Sequence, residues 1–296
     1  MRISDCGASP HADAIMREIA RYDLFEHVVE LEAYGFTVVP PEKIRSADGF
    51  AERLRDAMLR TCEKRNGIPI GDPLTASPSK AAIDPNKWDV LEEDEVFVEA
   101  ATNPVMLALV RWLLGESAIL SGQTWIIKGR EGRTHALHSD SHGIPPGGGS
   151  IAHMCNASWL CTDYAGEEDG PTIFAPGSHK YGRATLPYEA DMETSPIRTV
   201  PLIARAGSLA IWNGATWHGS LPRNKDGLRI TLVQNYMRTY MRPQALYDRT
   251  VSAQLRQKYP ELDRLVGRPL YPYVDPQNVD GERVAPFIHT GTDPYA

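Results

Sequence analysis

The chemistry open to this sequence is concentrated in a few residues. His138-Ser139-Asp140 sets an imidazole and a carboxylate two positions apart, and Trp217-His218-Gly219 supplies a second imidazole 80 residues after His138. In an extended segment, residues i and i+2 point to the same side of the backbone. His138 and Asp140 can therefore converge on one ion, with His218 arriving from a later strand. Two histidines and one carboxylate fill one face of an octahedron and leave three positions open. That is the pattern of non-haem Fe(II) sites, whose open positions take a bidentate co-substrate and oxygen. An H-x-D alone is weak evidence, because the pattern recurs by chance. Two downstream residues strengthen it. Ser220 lies two residues after His218 on the same strand face, and Arg229 lies eleven residues after it, on the strand beyond a predicted turn. A hydroxyl and a guanidinium so placed can hold the distal carboxylate of a dicarboxylate, the arginine through a bidentate, charge-assisted pair.

The elements that must position these groups change character along the chain. The first third reads helical, with helices expected at Ala14 to Tyr22 and Leu24 to Ala33, then a short β-like run at Phe36 to Val39. Phe50, Leu54, Met58 and Cys62 recur every four residues and mark the buried stripe of a helix that ends near Asn66-Gly67. Asn66 to Trp88 is rich in Pro, Gly, Ser and Asp and has no usable period, so it is expected to be a long loop of the kind that covers binding sites. Asn103-Pro104 opens a further helix that Gly115 stops. From Gly122 onward, short β-rich runs alternate with Gly, Pro, Asn and Asp clusters, the texture of an all-β sandwich or barrel. Helix is expected again from about Gln244 to Tyr259, followed by Pro-rich coil. No repeat or linker divides the chain, which reads as one domain over 1–296: a mostly helical flank (1–120), a β core (121–240) and a C-terminal helix with coil (241–296).

The bulk properties exclude several partners. Lys and Arg total 31 against 38 Asp and Glu, a net charge of −7, with no basic run for a nucleic-acid backbone or an anionic membrane. The longest apolar stretch, Val105 to Leu114, falls short of the roughly 20 residues a membrane span needs. Cys6, Cys62, Cys155 and Cys161 form no CxxC pair, read as small buried hydrophobes, and fit a reducing cytoplasm. The acidic run Glu92 to Glu95 reads as a solvated face, and Gly147 to Gly149 as a hinge, since no P-loop Lys follows it. A small-molecule substrate is the expected partner, and a homodimer is left open.

Taken together, the motifs resemble the phytanoyl-CoA dioxygenase-like (PhyH) branch of the Fe(II)/2-oxoglutarate oxygenases. They are Leu137-His138-Ser139-Asp140, Asp169-Gly170-Pro171-Thr172-Ile173-Phe174-Ala175-Pro176-Gly177-Ser178-His179, Gly207-Ser208-Leu209-Ala210-Ile211-Trp212 and Trp217-His218-Gly219-Ser220 with Arg229. The resemblance runs from about Gly122 to Tyr240, with a weaker echo at Tyr34 to Pro40. It implies a double-stranded β-helix, or jelly roll, mainly β with flanking helices. It also implies Fe(II) held by His138, Asp140 and His218, with 2-oxoglutarate and O2 as co-substrates. Ser220 and Arg229 would then bind the C5 carboxylate, and Trp159 matches a co-substrate-lining Trp of some members. Gln123 is a further expected lining residue, and His142, Trp88 and Trp125 are expected to border the substrate. An intact Asp140 favours hydroxylation or a related oxidation, because related halogenases carry a small residue there. Neither the Pro145 to Gly149 connection nor the tail after Gly267 matches the family, so the substrate is not carried over. Two rival readings keep the fold: a cupin-type isomerase or hydrolase with a Lewis-acid metal, and a non-catalytic binding protein. Ser220 and Arg229 argue against the first, and the complete triad against the second.

Overall fold

A computed structural model of the chain describes residues 10–130, 134–141, 144, 151–266 and 295. The helices are α1 (Pro10–Arg21), α2 (Phe25–Tyr34), α3 (Phe50–Asn66), α4 (Lys80–Ile83), α5 (Glu95–Ala101), α6 (Pro104–Leu114), α7 (Pro187–Ala190), α8 (Tyr247–Thr250), α9 (Ala253–Lys258) and α10 (Pro260–Leu265). The strands are β1 (Phe36–Val39), β2 (Ile119–Lys128), β3 (His135–His138), β4 (Met154–Leu160), β5 (Thr172–Phe174), β6 (Val200–Pro201), β7 (Leu209–Asn213), β8 (His218–Ser220) and β9 (Arg229–Met237). They form a five-stranded sheet in the order β1-β7-β4-β9-β2 and a four-stranded sheet in the order β3-β8-β5-β6. Every pairing is antiparallel, and the strands do not close into a barrel. This is the jelly-roll arrangement with helical flanks that the motifs imply.

The larger sheet has two faces with different tasks. Alternate side chains of a strand point to opposite sides, and here one set meets the helices. Cys155, Ala157 and Trp159 of β4, Ile230 and Leu232 of β9, and Leu209 and Ile211 of β7 join the buried core built by α3, α5 and α6. The stripe Phe50, Leu54, Met58, Cys62 is the face that α3 buries. Asn103 caps α6 by accepting from the Val105 and Met106 amides, with Pro104 at the first helical position. The other face meets the smaller sheet, where Leu160, Tyr164, Phe174, Leu202, Ala210 and Trp212 pack together.

Two sequence expectations change, and a third acquires a structural role. The helix expected over Gln244 to Tyr259 is broken into α8 and α9, because Ser252 caps α9, and Pro260 opens α10 beyond it. The segment Asn66 to Trp88 contains α4, a single helical turn too short to show a period. The acidic run is largely solvent-exposed, as read, and it also makes specific contacts. Asp94 caps α5 through the Val96 amide, Glu93 bridges Lys64 and Arg65 at 2.8 and 2.9 Å, and Glu92 accepts from the Ser252 amide. These carboxylates tie α3 and the C-terminal helices to the helix layer. Among the described residues no single helix is long and apolar enough to cross a membrane, and the bent pair α5 and α6 is largely buried in the core. Cys62, Cys155 and Cys161 are free and buried, whereas Cys6 lies outside the described residues.

Candidate metal centre and co-substrate recess

His138 ends β3 and His218 opens β8, and the two are direct cross-strand partners. Their separation of 80 residues in sequence thus collapses to ring centroids 4.3 Å apart. Gly219 permits this: a Cβ there would stand 2.4 Å from the His135 carbonyl oxygen, so any side chain would force β3 and β8 apart. Asp140 leaves the strand just beyond His138, its amide and the Ser139 hydroxyl both donating to the Gly214 carbonyl at 2.9 and 3.1 Å. The ligand atoms of His138, Asp140 and His218 all lie within 4.8 Å of one another, the only such group among the described residues.

The protonation pattern of the three suits a metal. His138 Nδ1 faces the Ala136 carbonyl at 2.9 Å and His218 Nδ1 the Thr216 carbonyl at 3.0 Å, so each Nδ1 carries the proton and donates it. Each Nε2 then offers its lone pair inward, 3.5 and 3.3 Å from the Asp140 carboxylate oxygens. Backbone acceptors that fix the tautomer in this way are the usual support of a metal-bound imidazole. Burial alone would favour neutral Asp140, but the His138 and His218 imidazoles that face it outweigh burial and hold the carboxyl far below its ordinary range. Burial likewise opposes charge on His138, and the Asp140 carboxylate overcomes it, raising the imidazole pKa. Two imidazoles and a carboxylate, all facing one point, form a donor set that fits Fe(II).

The triad opens on a cavity of about 790 Å³ between the sheets. At one end of it lies Arg229, 4% exposed, its guanidinium 5.4 Å from the Tyr164 ring and donating to the Gly170 carbonyl. Ser220 lines the same end. A residue not anticipated from the sequence, Lys128, completes it: it is the cross-strand partner of Arg229, and its Nζ donates to Ser220 Oγ at 3.2 Å. Burial, with Arg229 and Arg223 adding repulsion, pushes the Lys128 pKa down to about 7. Two buried cations side by side form a recess for an anion. The alternation Thr124, Ile126, Lys128 was the available signal, since it puts the lysine on the cavity face of β2. Asp169 of the Asp-Gly-Pro motif is a clamp for this region. It bridges Arg223 at 3.1 Å and Lys225 at 2.6 Å and accepts from the Ala165 and Gly166 amides, holding Gly170 where Arg229 meets it. Arg223 is thereby consumed, and Arg238 is likewise bound to the Ala152 and Leu113 carbonyls.

Three expected lining residues face away. Trp159 points into the helix layer, edge-on to Phe50 at 5.0 Å, with Nε1 donating to Gln234 at 3.0 Å. Gln123 donates to the Phe97 carbonyl and Trp125 to the Ile83 carbonyl, both on that same side. The reason is the two-residue period: on β4 the cavity face carries Asn156 and Ser158, and on β2 it carries Thr124, Ile126 and Lys128. Trp88 does line the cavity, 47% exposed and bridged to Thr124. So do Pro78, Lys80 and Asp84, all from the segment expected to cover the site. His142 lies outside the described residues, as does most of Ser141 to Ser150. Trp212, His135, Asn235 and Gln244 are further lining residues.

A jelly roll that gathers a His-Asp-His set beside a cationic recess defines the class of mononuclear non-haem iron oxygenases that use an oxo-dicarboxylate. A family model described as phytanoyl-CoA dioxygenase (PhyH) matches residues 31–231, and the chain belongs to this family. Dioxygenase af480 of Aspergillus fumigatus is 27% identical over 218 residues, covering 71% of this chain and 68% of that protein. HygX from Streptomyces hygroscopicus with nickel and 2-oxoglutarate bound superposes with a TM-score of 0.58 at 20% identity, over 78% of this chain and 93% of HygX. HygX has also been solved with hygromycin B bound. The epimerase SnoN, in complex with Fe3+, alpha-ketoglutarate and nogalamycin RO, superposes with a TM-score of 0.54 at 19% identity, over 79% of this chain and 92% of SnoN.

Proposed function

We propose that this Fe(II)- and 2-oxoglutarate-dependent oxygenase oxidises a small ring compound bearing hydroxyl or amino groups. The observation that carries the reading is that triad, cationic recess and a mixed substrate wall open on one cavity. On that wall Trp88 and Ile126 offer apolar surface, 47% and 36% exposed, while the Asn235 and Gln244 amides offer acceptors beside them. An aromatic plate flanked by amides suits a ring with one apolar face and polar edges.

His138, Asp140 and His218 would hold the Fe(II). The bound metal and co-substrate supply the oxidant from O2, with release of succinate and CO2. Arg229, Lys128 and Ser220 grip the distal carboxylate of 2-oxoglutarate, two positive charges and a hydroxyl fixing its orientation. The buried Tyr164 ring beside Arg229 keeps water from that end. Trp88 and the segment from Pro78 cover the cavity over the substrate.

A Lewis-acid isomerase or hydrolase has no use for a recess containing two cations. Oxygen uptake that requires both Fe(II) and 2-oxoglutarate tests the class. Mass spectrometry of a panel of hydroxylated ring compounds, hygromycin B included, tests the substrate, a gain of one oxygen or loss of two hydrogens being expected. Uptake without any product among ring compounds, with product from an open-chain acyl thioester instead, would overturn the substrate reading alone.

A further inference from the structure

Asp140 is held from behind by two asparagines. Asn156 Nδ2 donates to Asp140 Oδ2 at 2.6 Å, and Asn235 Nδ2 donates to Asn156 Oδ1. Asn156 and Asn235 are cross-strand partners on β4 and β9, 0% and 6% exposed. The direction of the chain follows from its end. A carboxylate only accepts, so Asn156 must turn its amide nitrogen to Asp140 and its carbonyl to Asn235. Asn235 must then turn its own amide nitrogen to Asn156, which leaves Oδ1 on the cavity side. That oxygen gathers with two other cavity residues over Gly122. A Cβ at Gly122 would stand 2.6 Å from Gln244 Oε1, 3.3 Å from the Trp88 ring and 3.6 Å from Asn235 Oδ1.

We infer that Asn156 is a positioning residue for the Asp140 carboxylate, with Asn235 as its support from the substrate wall. The inference rests on the oxygenase reading. A carboxylate turns about its Cβ–Cγ bond unless something fixes its plane. An N–H on Oδ2 does so and favours ligation through one oxygen, which keeps the remaining metal positions open for co-substrate and O2. Chained amide hydrogen bonds strengthen one another by about 10–30% per bond, so the Asn235 contact stiffens the Asn156 contact. Partners of this kind behind a metal ligand are worth about 10–100-fold in metal affinity.

The test compares the parent with Asn156→Ala and Asn235→Ala under anaerobic conditions. Fe(II) affinity is read by competition with a chromophoric chelator, and the visible absorption of the Fe(II)–2-oxoglutarate complex reports the geometry at the metal. Asn156→Ala is expected to weaken Fe(II) binding by about 10–100-fold and to shift the absorption. Asn235→Ala is expected to move both in the same direction by a smaller factor. The KM for 2-oxoglutarate at saturating Fe(II) stays near the parent value in both, since the anchor lies at the other end of the cavity. A folded Asn156→Ala protein with the parent's Fe(II) affinity and spectrum would overturn the inference. Should that variant not fold, an Asn235→Ala protein with unchanged affinity and spectrum overturns it equally. A parent that binds no Fe(II) would instead bring down the oxygenase reading on which it stands.

Discussion

At the scale of single residues, the triad and the recess make separable predictions. His138→Ala is expected to abolish Fe(II) binding while far-ultraviolet circular dichroism stays that of the parent, because His138 is a third exposed and contributes little packing (side chain 30% exposed). A titration calorimetry trace that still shows full-affinity Fe(II) binding would remove His138 from the site. Arg229 acts on the co-substrate. Losing one partner of a buried ion pair costs about 3–5 kcal/mol, so Arg229→Ala is expected to raise the KM for 2-oxoglutarate by at least about a hundredfold. Metal affinity should stay unchanged, and Arg229→Lys should not restore binding, because a point charge lacks the planar fork. Lys128 adds a pH signature. Its pKa is pushed down to about 7, so above that pH the free protein holds it largely neutral. A bound dicarboxylate favours the ammonium form and raises the pKa, so binding at pH 8 takes up a proton and affinity falls as pH rises through 7. Calorimetry at pH 8 in buffers of different ionisation enthalpy is expected to show this uptake, and Lys128→Met to lose it.

The elements decide which side chains reach the cavity, and Trp159 is the informative case. On β4 it sits among Phe50, Leu209 and Leu232 in the helix-facing core. Trp159→Phe keeps most of the volume but leaves Gln234 Oε1 without its donor, which costs about 1–3 kcal/mol. Chemical denaturation should register that loss while the KM for 2-oxoglutarate stays unchanged; a raised KM with unchanged stability would put Trp159 in the site after all. The segment from Pro78 to Trp88 makes the complementary prediction. It is joined to the sheet by the Trp88–Thr124 bridge and to α3 by Arg65, which donates to the Asn86, Trp88 and Asp89 carbonyls. Its own core residues are few, so limited proteolysis should cut it, and a bound substrate analogue should protect it. Equal cutting with and without a turned-over compound would count against a covering role.

For the molecule as a whole, we propose that flank, β core and C-terminal helices form one cooperative unit. One buried cluster runs from Ile15 and Ile19 of α1 through Leu54 and Phe97 to Leu232 of the sheet and Leu262 of α10. Parts that share a core unfold together. A single transition in chelator-treated protein is expected, with probes in the helices and in the sheet reporting the same midpoint. Ligand at a hundredfold over its Kd adds about 2.7 kcal/mol of stability. Divalent metal alone should therefore raise the midpoint, and 2-oxoglutarate should raise it further chiefly when metal is present.

Local chemistry was enough to read the parts that depend on local order. The four-residue stripe of α3, the Asn103-Pro104 cap of α6 and the strand runs from Gly122 all follow from side-chain period and capping, which act within a few residues. The triad, Ser220 and Arg229 were legible because motif order and strand spacing constrain them. What the sequence could not show is which face of each strand meets the cavity. That depends on the pairing of β2 with β9 and of β4 with β7, and a shift of one residue reverses every side chain. Gln123, Trp125 and Trp159 were misplaced for that reason. Lys128 beside Arg229, and Asn235 beside Asn156, are neighbours only through cross-strand register between segments 79 to 101 residues apart. Long-range pairing, set by which face could be buried against the helices, decided the electrostatics of the recess and the support of the carboxylate.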